Sequence, residues 1–295
     1  MNTNEVFGSY HPVINFAFFI LAISFGMLIY HPAYLIVSLF LSCTFYLTIK
    51  KDGWKFILGM VPLALGVSFL NPVFNNRGET VLFTYLNGRE YTLEALYYGV
   101  VLGIIFVNVI IWFASYQEIM TSDKFLYIFG KITPSVSLIL TMVLRLIPEY
   151  RKKVKQISGA RKCIGKSVSE GNYMQKAEHG MTIVSVLTTW ALEGGVMMAD
   201  SMQSRGYGCG KRTTFSIYKW RKKESIMLAG MMSLALIIIY CMIHSGTQTV
   251  FLPKIVIADN SYMWVGLISY GVLLSIPTIL NITEKITWNI LKSRI

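Results

Sequence analysis

"VFGSYHPVINFAFFILAISFGMLIYHPAYLIVSLFLSCTFYLTI", residues 6–49, contains no Asp, Glu, Lys or Arg. A crossing of the hydrocarbon core takes about 20 mostly apolar residues. At about 1.5 Å per residue this window is roughly twice the length one helical crossing needs. It therefore reads as a hairpin of two membrane spans. The bend falls at "YHPA", 30–33, where Pro32 disfavours helical backbone at His31.

Four further charge-free windows follow at Phe56–Asn76, Ala95–Gln117, Ser225–Pro253 and Asn260–Thr283, each long enough for one span. The 295 residues are 54% hydrophobic, with a mean hydropathy of +0.53, which lies outside the soluble globular range. The expected fold class is an all-α integral membrane protein with about six transmembrane helices plus a cytoplasmic helical module. Residues 1–124 form an N-terminal membrane region of about four spans, 125–224 hold interfacial and cytoplasmic helices, and 225–295 form a C-terminal membrane region of about two spans. No basic residue precedes the first apolar run and no small-residue cleavage site follows it, so a removed signal peptide is not expected. Cysteines at 43, 163, 209 and 241 show no C-x-x-C spacing, and the four histidines form no H-x-x-x-H pair. Neither a metal site nor a disulfide framework is indicated, and all four cysteines read as structural.

The formal charge of +12 is concentrated between Glu149 and Lys223, where fifteen Lys and Arg face five Asp and Glu. Positive charge beside spans marks the cytoplasmic side, and the short loop "KKDGWK", 50–55, points the same way. Counting from that loop puts both termini in the cytoplasm and 71–94 in an external loop. The stretch 125–147, "FLYIFGKITPSVSLILTMVLRLI", would turn the basic segment outward if it crossed. Lys131 and Arg145 leave 13 uncharged residues between them, with Pro134 inside the run, so it is read as non-crossing.

"ARKCIGKSV", 160–168, fits a loose phosphate-loop pattern. A working phosphate loop needs a buried strand before it and a helix after it, so that backbone N–H groups cradle phosphate. Upstream stands the charged, helix-forming "PEYRKKVKQISG", and downstream "VSEGNYMQ" lacks an apolar helical period. "VMMAD", 196–200, imitates a metal-binding strand end. However, Ile183, Leu187, Trp190, Gly194, Met197 and Ser201 recur at helical spacing, so Asp200 lies on a helix. The basic segment reads instead as two helices, one starting at Pro148 and running to about Cys163, the other over about 176–205, joined by "GKSVSEGN". Both finish with Arg near the last turn and Gly just past it, which suits the helix dipole and a left-handed cap.

"MADSMQSRGYGCGKRTTF", 198–215, with "ISGARKC" about 44 residues earlier and "YHPVINFAFFI" at 10–20, resembles the transmembrane coupling (T) component of energy-coupling factor transporters, ABC-type importers of vitamins and metal ions. The resemblance implies two x-Arg-x motifs at the ends of cytoplasmic coupling helices, each docking in one of two ABC-type ATPase subunits. Carried onto this chain they are Ala160-Arg161-Lys162 and Ser204-Arg205-Gly206; Lys162 departs from the usual small third residue. A planar guanidinium offers five donors to a water-excluding groove, where Lys substitutes poorly. The resemblance further implies a substrate-binding membrane S component as partner, and ATP and Mg on the ATPases with no cofactor held by this chain. It also implies a non-catalytic subunit in the cell membrane. Small Gly194, Gly195, Ala199 and Ser201 on the second helix would let a crossed coupling helix approach closely.

The competing class is a secondary transporter or channel not driven by ATPases. Such proteins place ionisable groups in their spans, whereas these spans offer only Asn108 and His244, and Asn108 is expected to bond a neighbouring helix. A membrane enzyme lacks support because Glu170, Glu178, Glu193 and Asp200 match no catalytic spacing. The bilayer is the expected partner of the basic 149–163 run, and nucleic acid is not, since no binding motif accompanies the charge.

Overall fold

A computed structural model describes residues 6–50, 52–75, 78–85, 89–130, 133–166, 172–210, 218, 220–251, 256–257 and 260–292. Helices dominate, and the chain divides into two compact units, Met1–Phe125 with Tyr218–Ile295, and Leu126–Ile217.

The first unit opens with a single 3-10 turn, Phe7–Ser9, followed by α1 (Pro12–Leu28) and α2 (Pro32–Ile49). The charge-free window is thus a helical hairpin bent where Pro32 forbids continuation, with His31 in extended backbone. Tyr-His-Pro occurs before each helix. His11 and His31 each accept a hydrogen bond at Nδ1, from the N–H of Val13 and Ala33 at 3.3 Å, while proline takes a first-turn position that needs no donor.

The other helices of this unit are α3 (Gly53–Phe74), α4 (Leu93–Ile119), α8 (Lys222–Ile243) and α9 (Ser261–Lys292). In the pairings α2 meets α3, α4 and α9, α1 meets α4 and α8, and α8 meets α9. The α3–α4 pair is the tightest. A Cβ built on Gly99 would lie 2.5 Å from the Ser68 carbonyl oxygen, and one on Gly103 2.7 Å from that of Ala64. Small residues four apart on both helices therefore bring the backbones together.

Phe7, Phe18, Phe19, Phe45 and Trp112 fill the centre, with Phe7 and Phe18 edge to face at 5.4 Å and Phe18 and Trp112 at 5.6 Å. The Phe7 N–H donates to Asn281 Oδ1 at 3.0 Å, and Lys124 Nζ donates to the carbonyls of Gly8 and Ile119 at 2.6 and 2.7 Å. As expected, Asn108 bonds a neighbouring helix: Ser38 on α2 donates to its Oδ1 at 3.1 Å, and Tyr270 on α9 donates to Ser38 Oγ at 3.1 Å. Glu94, Lys124 and Glu224 are buried near helix ends, Glu94 accepting from Thr80, Lys124 donating to the Gly8 and Ile119 carbonyls, and Glu224 accepting from the Arg221 N–H.

Length and composition qualify six helices to cross a membrane: α2, α3, α4, α8, α9 and Tyr173–Ser204, here α7. This set departs from the expected one. The 17-residue α1 falls below it although it sits at the short end of what crosses. The second basic-segment helix, α7, enters it. The 71–94 loop also carries sheet, β1 (Val81–Tyr85) antiparallel to β2 (Arg89–Thr92), with Phe83 and Tyr91 paired and stacked at 4.7 Å. A second hairpin pairs β3 (Thr249–Val250) with β4 (Val256–Ile257).

The second unit holds α6 (Pro134–Cys163) and α7 (Tyr173–Ser204), with α5 (Ser122–Gly130) preceding them in the chain. α6 begins fourteen residues before the expected start at Pro148. Pro134 occupies its first turn, and Pro148 lies inside the helix, where the Leu144 carbonyl loses its usual donor. α6 is not among the helices apolar enough to cross. α7 opens with a reciprocal cap between Asn172 and Gln175, its first turn starting three residues earlier than expected.

Candidate docking site

α6 and α7 run antiparallel. The Tyr150 ring meets the Trp190 ring edge on at 5.4 Å, Lys153 Nζ stands 5.2 Å over that indole, and Arg161 Nη2 lies 3.1 Å from His179 Nδ1. Eleven residues separate Tyr150 from Arg161 and eleven separate His179 from Trp190, so one register holds along both helices.

The last turns of α6 and α7 share one cap. On α6, the N–H of Lys166 donates to the Arg161 carbonyl at 3.0 Å and that of Gly165 to Lys162 at 3.1 Å. On α7, the N–H of Tyr207 donates to Met202 at 3.1 Å and that of Gly206 to Gln203 at 3.0 Å. Gly165 and Gly206 have φ of +70° and +77°, the left-handed backbone this cap requires. Ser204 adds a bond from Oγ to the Asp200 carbonyl at 2.6 Å.

The two arginines occupy different places relative to that cap. Ala160, Arg161 and Lys162 all lie inside α6, with Arg161 four residues before its glycine. Ser204 ends α7, Arg205 is the cap residue and Gly206 follows. Arg161 is consequently half-buried against α7, whereas Arg205 is exposed at the tip. From the His179 level to Arg205 is 26 residues of nearly continuous helix, about 39 Å at the α-helical rise.

"ARKCIGKSV" enters its glycine turn from a helix, and Asp200 lies within α7, so neither the phosphate-loop strand nor the metal-binding strand end is present. Among the described residues, a Cβ on Gly194 or Gly195 meets nothing within 4 Å, while α6 meets α7 at Trp190 and His179. Cys163 and Cys209, expected to be structural, are exposed free thiols. Among the described residues no three His, Cys, Asp or Glu side chains come together as a metal site would require.

No family model matches the chain. The energy-coupling factor transporter transmembrane protein EcfT of Staphylococcus aureus is 26% identical to it over 210 residues, 67% of this chain and 78% of that relative. EcfT of Streptococcus thermophilus is 26% identical over 221 residues, 70% and 83% of the two chains. EcfT of Listeria innocua is 27% identical over 196 residues, 62% and 73%. These similarities support a T component of an energy-coupling factor transporter.

Together with the six apolar helices, they support a multi-pass membrane protein. The second unit carries large exposed apolar side chains. α7 buries only Ile183, and Met181, Val184, Leu192, Val196 and Met197 are exposed, as are Val136, Ile139, Leu140, Val143, Ile147 and Val154 on α6. Apolar faces of this extent in an isolated subunit mark contact with another subunit or lipid. Sequence reasoning passed over His179, because its position beside Arg161 depends on the antiparallel register. It also passed over Gly99 and Gly103, although G-x-x-x-G inside an apolar span was there to be read.

Proposed function

We propose that this chain transmits ATP-driven motion from two ABC-type ATPase subunits to a substrate-binding membrane S component, in an importer of a vitamin or metal ion. Ala160-Arg161-Lys162 docks one ATPase and Ser204-Arg205-Gly206 the other. ATP and Mg reside on the ATPases, and the chain performs no catalysis of its own. It lies in the cell membrane with both termini and the basic second unit in the cytoplasm.

The observation that carries this reading is the pair of identically capped, arginine-bearing helix ends, set about 39 Å apart along α7. Two separate partners can engage such ends without colliding, and closure of the ATPase pair would move both ends together. The uncovered apolar faces of α6 and α7, including the open surface at Gly194, Gly195, Ala199 and Ser201, supply the contact for the S component. The buried carboxylates and lysine of the first unit, Glu94, Glu224 and Lys124, lie near helix ends, which gives no support to a proton or ion path through the spans.

The test is affinity purification of the chain in mild detergent, with Arg205→Glu and Arg161→Ala variants beside the parent. ATPase subunits should co-purify with the parent and be lost or depleted with Arg205→Glu, while membrane insertion is unchanged. Equal ATPase recovery and uptake in parent and variant would overturn the docking assignment.

A further inference from the structure

Arg161 and Arg205 meet their surroundings in different ways. Arg205 is exposed at the end of α7. Arg161 is half-buried, its Nη2 lies 3.1 Å from His179 Nδ1, and its Nε is buried with no partner. We propose that His179 is a positioning residue for the first docking end, holding the Arg161 guanidinium in one orientation before an ATPase arrives. This rests on the docking reading above.

The chemistry gives a direction to the contact. Arg161 has only donors, so His179 must accept, with its ring proton on Nε2 and the Nδ1 lone pair aimed at Nη2. One donor is spent on His179 and Nε is closed off. A partner's acceptor is then met by the remaining Nη protons, in a plane set by the protein. A free arginine side chain loses rotamer freedom when it docks, and a guanidinium fixed beforehand loses less. The fixing has structural support. His179 lies on α7 two turns from its capped start, and the register set by Tyr150 and Trp190 brings it level with Arg161. The placement of Arg161 inside α6 also follows, because a residue beyond the cap would lie past the α7 contact. Among the described residues no such holder stands at the second end, so the two ends differ in how much order the ATPase itself must impose.

The experiment uses the full-length chain in detergent and the ATPase subunits that co-purify with it. His179→Phe keeps a ring and removes the acceptor; His179→Asn puts an amide oxygen near the Nδ1 position. In the chain without ATPases, phenylglyoxal should modify Arg161 faster in His179→Phe than in the parent or His179→Asn, as read by mass spectrometry. ATPase affinity should fall about fivefold in His179→Phe, as expected for loss of one modest hydrogen bond, and recover in His179→Asn. In an Arg161→Ala background His179→Phe should have no further effect. Equal Arg161 modification in parent and His179→Phe overturns the proposal, as does unchanged or tighter ATPase binding by His179→Phe. If Arg161→Ala weakens binding while His179→Phe does not, the positioning role alone fails. If neither variant weakens binding, docking at this end fails with it.

Discussion

Replacing Gly103 by Ala is the sharpest test of the membrane fold, because a matched control has the opposite expected sign. A methyl at Gly103 would lie 2.7 Å from the Ala64 carbonyl oxygen and 2.9 Å from Ser68 Oγ, about 0.7 Å and 0.5 Å short of ordinary contact. The carbonyl belongs to the α3 backbone and cannot rotate away, so α3 must back off from α4. Overpacking of this kind costs about 1–3 kcal/mol. Gly→Ala in a helix interior also gains up to about 1 kcal/mol from backbone entropy. Gly59→Ala on α3 has nothing within 4 Å of its new methyl and receives that gain without a clash. Subtracting one variant from the other cancels the propensity gain and leaves the clash, about 1–3 kcal/mol. Thermal unfolding of the purified chain in one detergent, at one scan rate, should rank Gly59→Ala at or above the parent and Gly103→Ala below both. Gly99→Ala combined with Gly103→Ala should lose less than the two singles added, since both push on the same stretch of α3 at Ser68. A Gly103→Ala protein that melts with or above Gly59→Ala would refute the close α3–α4 approach.

Three further outcomes are expected. Cys163 and Cys209 are exposed free thiols beside the two arginine motifs, so a membrane-impermeant maleimide should label them in inverted vesicles and not in right-side-out ones; labelling from the outside would sink the orientation. Bound ATPase subunits should slow labelling of both thiols, and Arg205→Glu should restore the Cys209 rate more than the Cys163 rate. The Lys50–Glu118 ion pair, 2.6 Å long with side chains 52% and 40% exposed, should contribute less than about 1 kcal/mol. The hydrogen bond and charge of Glu118 raise the Lys50 pKa above the usual lysine value, so this small term is present at neutral pH and is lost as pH rises through the raised value. A Lys50→Ala protein should therefore melt close to the parent at pH 7, and a large loss there would show a role beyond this exposed pair.

The candidate spans were legible because hydrocarbon imposes a one-dimensional rule: a charge-free run of sufficient length reads as a helix able to cross. Pro32 marked the first bend for the same local reason, the steric demand of its ring on His31. The arginine-glycine endings of α6 and α7 were legible too, since left-handed caps need glycine. The start of α6 was misplaced because Pro134 and Pro148 both suit a helix start, and nothing local distinguishes a proline at the first turn from one tolerated within. The β1–β2 hairpin was not expected because 71–94 reads only as an external loop, and a pair of strands this short depends on the cross-strand meeting of Phe83 and Tyr91.

Composition and periodicity by themselves determined that this chain is helical, membrane-embedded and strongly basic in one segment, since those properties follow from each residue's own transfer energy and backbone preference. The partnerships were decided only in three dimensions: Gly103 against Ala64, Asn108 with Ser38 and Tyr270, and His179 beside Arg161. Each joins residues far apart in the chain, and their meeting depends on helix register and rotation, which are set by packing across many side chains at once.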